Sequence, residues 1–384
     1  GVDRRTARTP RERTMPDKLR VGVVSANWGM NAHLPAWHAT GEAEVTAVCT
    51  SRRETAEAAA VKFGIAKPCW DALAMCADPD IDIIDVGTRP DLRAPMVLAA
   101  LANGKHVFAS ANFAPDLAVA RRMRDAARSA GVVAALDSVF PWQPAHRQAR
   151  AMIERGDIGR PIAVNACLHI SHFTPPMTHG VDWKWFGTRR HGASALRNLG
   201  THSLHLLTWL LGPVEAVAGH ATIARTEWRF PNGELLRPEV EDTAQLLLRF
   251  ASGTMGMLAL GWSSPARTGW WMEITGDDRT IVTRDPNGFA CGPTVSLLQG
   301  TEGSRLLPVE IPAEFASPPG IRFETPPSRA QSHDIAGAVK DMIRAIRQGG
   351  AALPDFEQAF HVEAILDAAR RAIDGRCWVD VPRD

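Results

Sequence analysis

Asn198, His202 and His205, in the stretch "NLGTHSLH", are spaced four and three residues apart and so share one face of any helix that contains them. An unperturbed imidazole titrates near pH 6.5, which makes His202 a candidate general acid-base group at neutral pH. Asn198 can orient an imidazole by hydrogen bonding but lacks the charge with which a carboxylate would stabilise imidazolium. His169, His172, His179 and His191 precede the pair in the same part of the chain. A His-x-x-His pair on a helix can hold zinc, yet no carboxylate or cysteine joins it at a ligand spacing, so no metal is expected.

A second group opens the chain, in "VGVVSANWGMNAH", Val21 to His33, where a β-branched run meets a turn. In a dinucleotide fingerprint, glycines allow the tight turn, the approach of backbone to pyrophosphate and the packing of helix on strand. Ser25, Asn27 and Met30 stand in those places here, with Gly29 one position early. Ser25 and Ala26 are small, Asn27 tolerates left-handed backbone, and Gly29 takes φ > 0 freely. The expectation is a rebuilt cofactor loop of Ser25, Ala26, Asn27, Trp28, Gly29 and Met30, with the Ser25 hydroxyl and a helix N-terminus facing phosphate.

The second strand ends in "AVCTSRRE", so Thr50, Ser51, Arg52 and Arg53 occupy the place where an NAD site has an acid for the ribose. No carboxylate repels a 2′-phosphate there, and guanidinium groups grip phosphate bidentately. NADP is therefore expected over NAD. The chain holds 12 Trp and no Tyr. Trp183 and Trp185, with His172, are expected as flat walls for a substrate ring, and Lys184 between the two indoles is the nearest cation.

These residues need elements to hold them. From Leu19 onward, β-branched runs alternate with alanine-rich helical stretches, the pattern of a parallel sheet covered on both faces. The expected fold is α/β: a Rossmann-type doubly wound parallel sheet over residues 17–140, then an α+β domain over 141–384 with a large, mainly antiparallel open sheet for substrate binding and oligomerisation. Period-two alternation in "DTAQLLLRFASGTMGMLALGW" carries the second part. The terminal helices close the fold and can pack back on the first domain. Residues 1–16 are expected to be a flexible extension, with Met15 a candidate natural start.

Lys+Arg 43 against Asp+Glu 42 leaves a net charge of +1, no field for nucleic acid or an anionic membrane. A small-molecule substrate is the expected partner. The six cysteines show no C-x-x-C spacing, which points to a reducing, cytoplasmic setting.

From about Leu19 to Val381 the chain resembles the Gfo/Idh/MocA family, named for glucose-fructose oxidoreductase, inositol dehydrogenase and a rhizopine catabolism protein. The residues that carry the resemblance are, in order, the first strand with His33, "ADPDIDIIDVGTRP", "ALANGKHVFASANFAPDLAVARRM", "IERGDIGRP", "NLGTHSLHLLTWLLG", "VEDTAQLLLRF" and "AIDGRCWVDV". The "SANWG" loop is similar to that of the galactose-regulon repressor branch. The resemblance implies NAD or NADP on the first domain, with Thr88, Arg89, Pro90, Ser110 and Asn112 beside it. It also implies hydride transfer at a hydroxyl or carbonyl carbon of a sugar-like, cyclitol, or cyclic or aromatic alcohol substrate lying on the second domain's sheet.

Two departures matter. Where the family has Glu-Lys-Pro, this chain has Ser110, Ala111 and Asn112, and an alanine transfers no proton. Where the family has Asp-x-x-x-His-x-x-Asp, it has Asn198, His202 and His205. The expected catalytic set is His202 with Asn198, and with His205 or Lys184 covering for the missing lysine, in a homodimer or homotetramer. Two other readings fit the same departures: a redox-neutral lyase or glycosidase with tightly held NAD(P), and a non-catalytic NAD(P)-binding regulator.

Overall fold

A computed structural model describes residues 17–286, 289 and 294–384. The expected extension at 1–16, and Cys291, lie outside the described residues. Six parallel strands form the first sheet: β1 (Leu19–Val24), β2 (Ala43–Cys49), β3 (Lys67–Cys69), β4 (Ile83–Val86), β5 (His106–Ala109) and β6 (Ala134–Leu136). Their order is β3-β2-β1-β4-β5-β6, so the strand order reverses between β1 and β4. Loops at the carboxyl ends of strands flanking such a reversal form the crevice in which an α/β sheet binds ligand.

Local chemistry sets the helix ends. The helix Leu117–Ala130 starts where Asp116 accepts the Val119 N–H and stops at Gly131, whose positive φ an L side chain would resist. Ser194 caps the helix Ala195–Leu211 by accepting the Arg197 N–H, and Asp355 with Gln358 makes a capping box for Phe356–Gly375.

The second sheet has nine strands. Its members are β7 (Pro161–His169), β8 (Val214–Thr222), β11 (Thr243–Phe250), β12 (Met255–Gly261), β13 (Gly269–Gly276), β14 (Thr280–Asp285), β15 (Ser296–Gly300), β16 (Leu307–Pro308) and β17 (Val379–Asp380), with a separate hairpin of β9 (Trp228–Arg229) and β10 (Leu235–Leu236). The order is β16-β15-β14-β13-β7-β12-β11-β8-β17, antiparallel except where β7 lies parallel to β12. Alternation decides its faces. Leu246, Leu248, Leu258 and Leu260 turn inward and are buried under the helices Ala195–Leu211 and Phe356–Gly375, whereas Leu247, Met255 and Met257 turn outward. Each buried leucine is worth roughly 1.5–3 kcal/mol relative to exposure.

The last helix reaches the first domain: Arg128 pairs with Glu357 at 2.9 Å, Phe113 meets Phe356 edge-on at 4.6 Å, and Arg124 lies over the Phe360 ring. No helix among the described residues is long and apolar enough to cross a membrane.

Candidate active site

The rebuilt loop works differently from the glycine logic set out above. Neither Asn27 nor Gly29 has positive φ; Trp28 is already in right-handed helical geometry and Gly29 opens the first turn, Gly29–His33. Ser25 replaces left-handed backbone as the organiser, because its Oγ accepts the N–H groups of Asn27 at 3.1 Å and Gly29 at 3.3 Å. That leaves the hydroxyl proton free to donate. Gly29 is small for contact rather than for conformation: a Cβ there would stand 2.7 Å from Val23 Cγ1, and one on Gly87 would stand 2.9 Å from the Gly29 nitrogen. Met30 is buried in the core, and Trp28 donates its indole N–H to Asp137 at 2.8 Å. Ala26 and Asn27 are the exposed part of the loop, and Ser25 and Trp28 are half-buried.

At the end of β2, Thr50 is occupied locally, its Oγ1 sharing a hydrogen bond with Thr55 at 2.6 Å. Arg53 pairs with Glu57 at 2.7 Å and lies over Trp70. Ser51 and Arg52 are exposed, and Arg52 precedes the helix Arg53–Phe63 with no ion pair to a described residue.

At the ends of β4 and β5, Arg93 is wholly buried, and its guanidinium donates to the carbonyls of Thr88, Asn112 and Phe113. It ties the two loops together. Arg89 is engaged bidentately by Asp91 at 3.1 Å, and Pro90 is buried at the first turn of Pro90–Ala102. Asn112 Nδ2 donates to the Gly192 carbonyl at 2.9 Å and to Asn198 Oδ1 at 3.2 Å. Asn198 therefore joins the two domains, its Oδ1 also accepting the Ser194 N–H, instead of orienting an imidazole.

His202 projects from the same helix against Phe140 and Phe289, ring centroids at 5.8 and 5.0 Å. Burial pushes its pKa down to about 4, with the Asp137 charge opposing. At neutral pH the imidazole is uncharged and ready to accept a proton. Thr88 Oγ1, Ser110 Oγ, Asn112 Oδ1, Ser138 Oγ and His202 Nδ1 are all buried and have no partner among the described residues. Buried polar atoms are ordinarily satisfied. These sit at the carboxyl ends of β4, β5 and β6 and on the facing helix, the polar setting that a nicotinamide and its carboxamide fit.

The expected substrate residues lie apart from this row. Lys184 turns to Glu234 in an ion pair, and Trp183 is sandwiched between His179 at 4.1 Å and Phe186 at 4.9 Å. Trp185 packs on Phe186, and His172 Nδ1 meets His179 Nε2 at 3.0 Å. Together with Phe173, Trp228 and Trp262 they form one aromatic cluster over the ends of β7 and β12. His205 lines a separate cavity near the end of its helix. Among the described residues no three of His, Cys, Asp and Glu are grouped to hold a metal ion.

Sequence reasoning assigned no role to the group beneath the loop. His33 is fully buried, its Nδ1 donating to Asp85 at 2.8 and 2.9 Å and its Nε2 to Asp137 at 2.9 Å. Asp85 also takes the Trp37 indole N–H at 2.7 Å, and Asp137 takes the Ala111 N–H at 2.5 Å. A carboxylate inside the apolar strand "IDIIDVG" was the available signal.

Residues 19–138 match the oxidoreductase family with an NAD-binding Rossmann fold, and residues 146–282 match the GFO/IDH/MocA C-terminal domain. A 1,5-anhydro-D-fructose reductase of Ensifer adhaerens is 31% identical over 300 residues, spanning 76% of this chain and 82% of that protein. A levoglucosan dehydrogenase of Pseudarthrobacter phenanthrenivorans is 24% identical over 394 residues, spanning 95% and 98%. Among solved structures, a levoglucosan dehydrogenase in complex with NADH and L-sorbose superimposes with a TM-score of 0.84 at 23% identity, covering 96% of this chain and 100% of that one.

Proposed function

Because the chain belongs to the Gfo/Idh/MocA family of NAD(P)-dependent oxidoreductases, we propose that it oxidises a hydroxyl carbon of a sugar-like or cyclitol ring, or reduces the matching carbonyl, with NADP as the preferred cofactor and His202 as the acid-base group. The observation that carries this reading is the row of buried, unpartnered polar atoms from Thr88 to His202 at the carboxyl ends of β4, β5 and β6 and on the facing helix. When bound, the oxidised nicotinamide supplies the hydride acceptor. The protein's part would be to place the ring: Ser110 and Asn112 would hold the carboxamide, Ser25 would donate to the pyrophosphate, and neutral His202 would take the hydroxyl proton. A ring substrate is supported by the two relatives, a levoglucosan dehydrogenase and a 1,5-anhydro-D-fructose reductase. Mixing the protein with NADP and a panel of sugars, cyclitols and aromatic alcohols tests the reading through the absorbance of reduced nicotinamide. Failure to bind either cofactor would overturn it.

The preference for NADP rests on Arg52. With Thr50 and Arg53 engaged elsewhere, Arg52 and Ser51 are the groups left to meet a 2′-phosphate. Arg52→Ala is expected to weaken NADPH binding by roughly 1–3 kcal/mol, the range for hydrogen bonds to charged groups, and to leave NADH binding nearly unchanged. Tighter binding of NADH than NADPH by the unmodified protein in calorimetry would refute this reading of the strand end.

The open sheet supports self-association as a homodimer or homotetramer. Leu247 and Met257 are direct cross-strand partners on its outer face, Met255 is 72% exposed beside them, and half-buried Trp271, Cys167 and Ala259 continue the face across adjacent strands. An apolar strip of this kind on an open sheet is the sort of surface a second copy covers. Sedimentation at micromolar concentration is expected to give a dimer or tetramer, and Met257→Glu to shift it toward monomer; a monomeric unmodified protein would contradict the assembly.

A further inference from the structure

The stripe of the helix Ala195–Leu211 that carries His202 continues past the crevice. One turn on, His205 is 3% exposed, and its Nε2 is buried with no partner among the described residues. The ring lines a cavity of about 300 Å³, bounded also by Thr208, Trp209, Pro213, Gln358 and His361. This cavity lies between the end of that helix and the start of the terminal one, and none of its lining residues belongs to the cofactor crevice. His361 Nε2 accepts the Val214 N–H at 3.2 Å, which fixes its proton on Nδ1.

We propose that His205 relays the proton released at His202 into this cavity, with His361 at its far wall, so that the proton leaves by a route separate from the substrate's entry. The inference rests on the oxidoreductase reading above. Oxidising an alcohol breaks the O–H and C–H bonds: the hydride leaves with its electron pair to the oxidised cofactor, the C–O bond becomes C=O, and one proton remains on His202. No electrons move in the relay itself. One ring nitrogen of His205 takes the proton as the other gives one up to water in the cavity, and reduction runs the same route in reverse.

Two features support it. Residues three apart on a helix share a face, and the His202 charge acts on His205. Phe140 and Phe289 flank the His202 ring, with centroids at 5.8 and 5.0 Å. The titratable groups facing His205 and its cavity are His202, His361, Glu357 and, from the first domain, Asp137. Burial holds His202 near pKa 4 and His205 near 3, so neither keeps a proton for long at neutral pH.

The test has two arms, both on the whole chain. With 15N-labelled histidine and no ligand, the His205 ring is expected to exchange its proton with water and to populate both tautomers. In turnover of whichever panel compound is oxidised, His205→Phe and His205→Gln are each expected to lower the steady-state rate about tenfold or more, a modest share of a general acid-base effect. NADP affinity and the first-turnover hydride step should be retained, and added imidazole should restore the rate. Slow exchange at a single His205 tautomer, unchanged turnover in both variants, or a loss that imidazole leaves in place would each overturn the relay. His202→Ala separates the two readings: retained turnover there removes the oxidoreductase assignment of the helix, whereas lost turnover there with normal turnover in His205→Phe removes the relay alone.

Discussion

Replacing His202 by alanine is expected to lower turnover by about 10²–10⁴-fold, the range for losing a general acid-base group, while leaving NADP affinity nearly unchanged. The size follows from the site's composition. The place where the family has its lysine holds Ala111, Lys184 is turned to Glu234, and Asn198 is committed to Asn112 and Ser194, which leaves His202 as the proposed proton acceptor beside the orphaned polar row. Its pKa sets the pH dependence. Oxidation requires the neutral imidazole, so activity should hold through neutrality and fall as pH drops through about 4. Asn198→Asp keeps both accepted hydrogen bonds and adds a charge that favours imidazolium, so the acid limb should move to higher pH. Steady-state kinetics across pH reads both effects. Full activity in His202→Ala would move the chemistry off this helix.

What could be read in advance depended on the range of the interaction. Strand-helix alternation and period two are local, so the doubly wound sheet and the open second sheet followed from the chain itself. The helix face shared by Asn198, His202 and His205 was likewise a matter of spacing. The roles of those residues were not, since Asn198 is claimed by Asn112 of the other domain and His205 by a cavity shared with the terminal helix. Lys184 looked available until Glu234, 50 positions on, is brought beside it. Gly29 looked like a residue for φ > 0, whereas its need is the close passage of Gly87, which no local pattern reveals.

The same reasoning applies to the buried group that spacing could not expose. His33 meets Asp85 and Asp137 from 52 and 104 positions away, and both ring nitrogens donate, which requires the imidazolium form. The two carboxylates hold it charged, raising its pKa to about 10 against the desolvation that opposes charge. Asp137, in turn, is held below the usual carboxylate range despite its burial, chiefly by its bond to His33. Removing the cation strands two carboxylates in the core, so His33→Gln is expected to cost about 3–5 kcal/mol near neutral pH, the range for breaking a buried pair by deleting one partner. The sign with pH follows from the raised value. Protonation of His33 contributes fully below its unfolded pKa near 6.5, and the contribution declines as pH rises toward about 10. The gap between unmodified protein and variant in urea unfolding should therefore narrow on going from pH 6.5 toward 10. Because Asp137 also receives the Trp28 indole and the Ala111 N–H, the loop and the strand end that flank the cofactor crevice hang from the same carboxylate. The variant is thus expected to weaken NADP binding as well; a gap that stays constant with pH would show that His33 is not the proton carrier of this group.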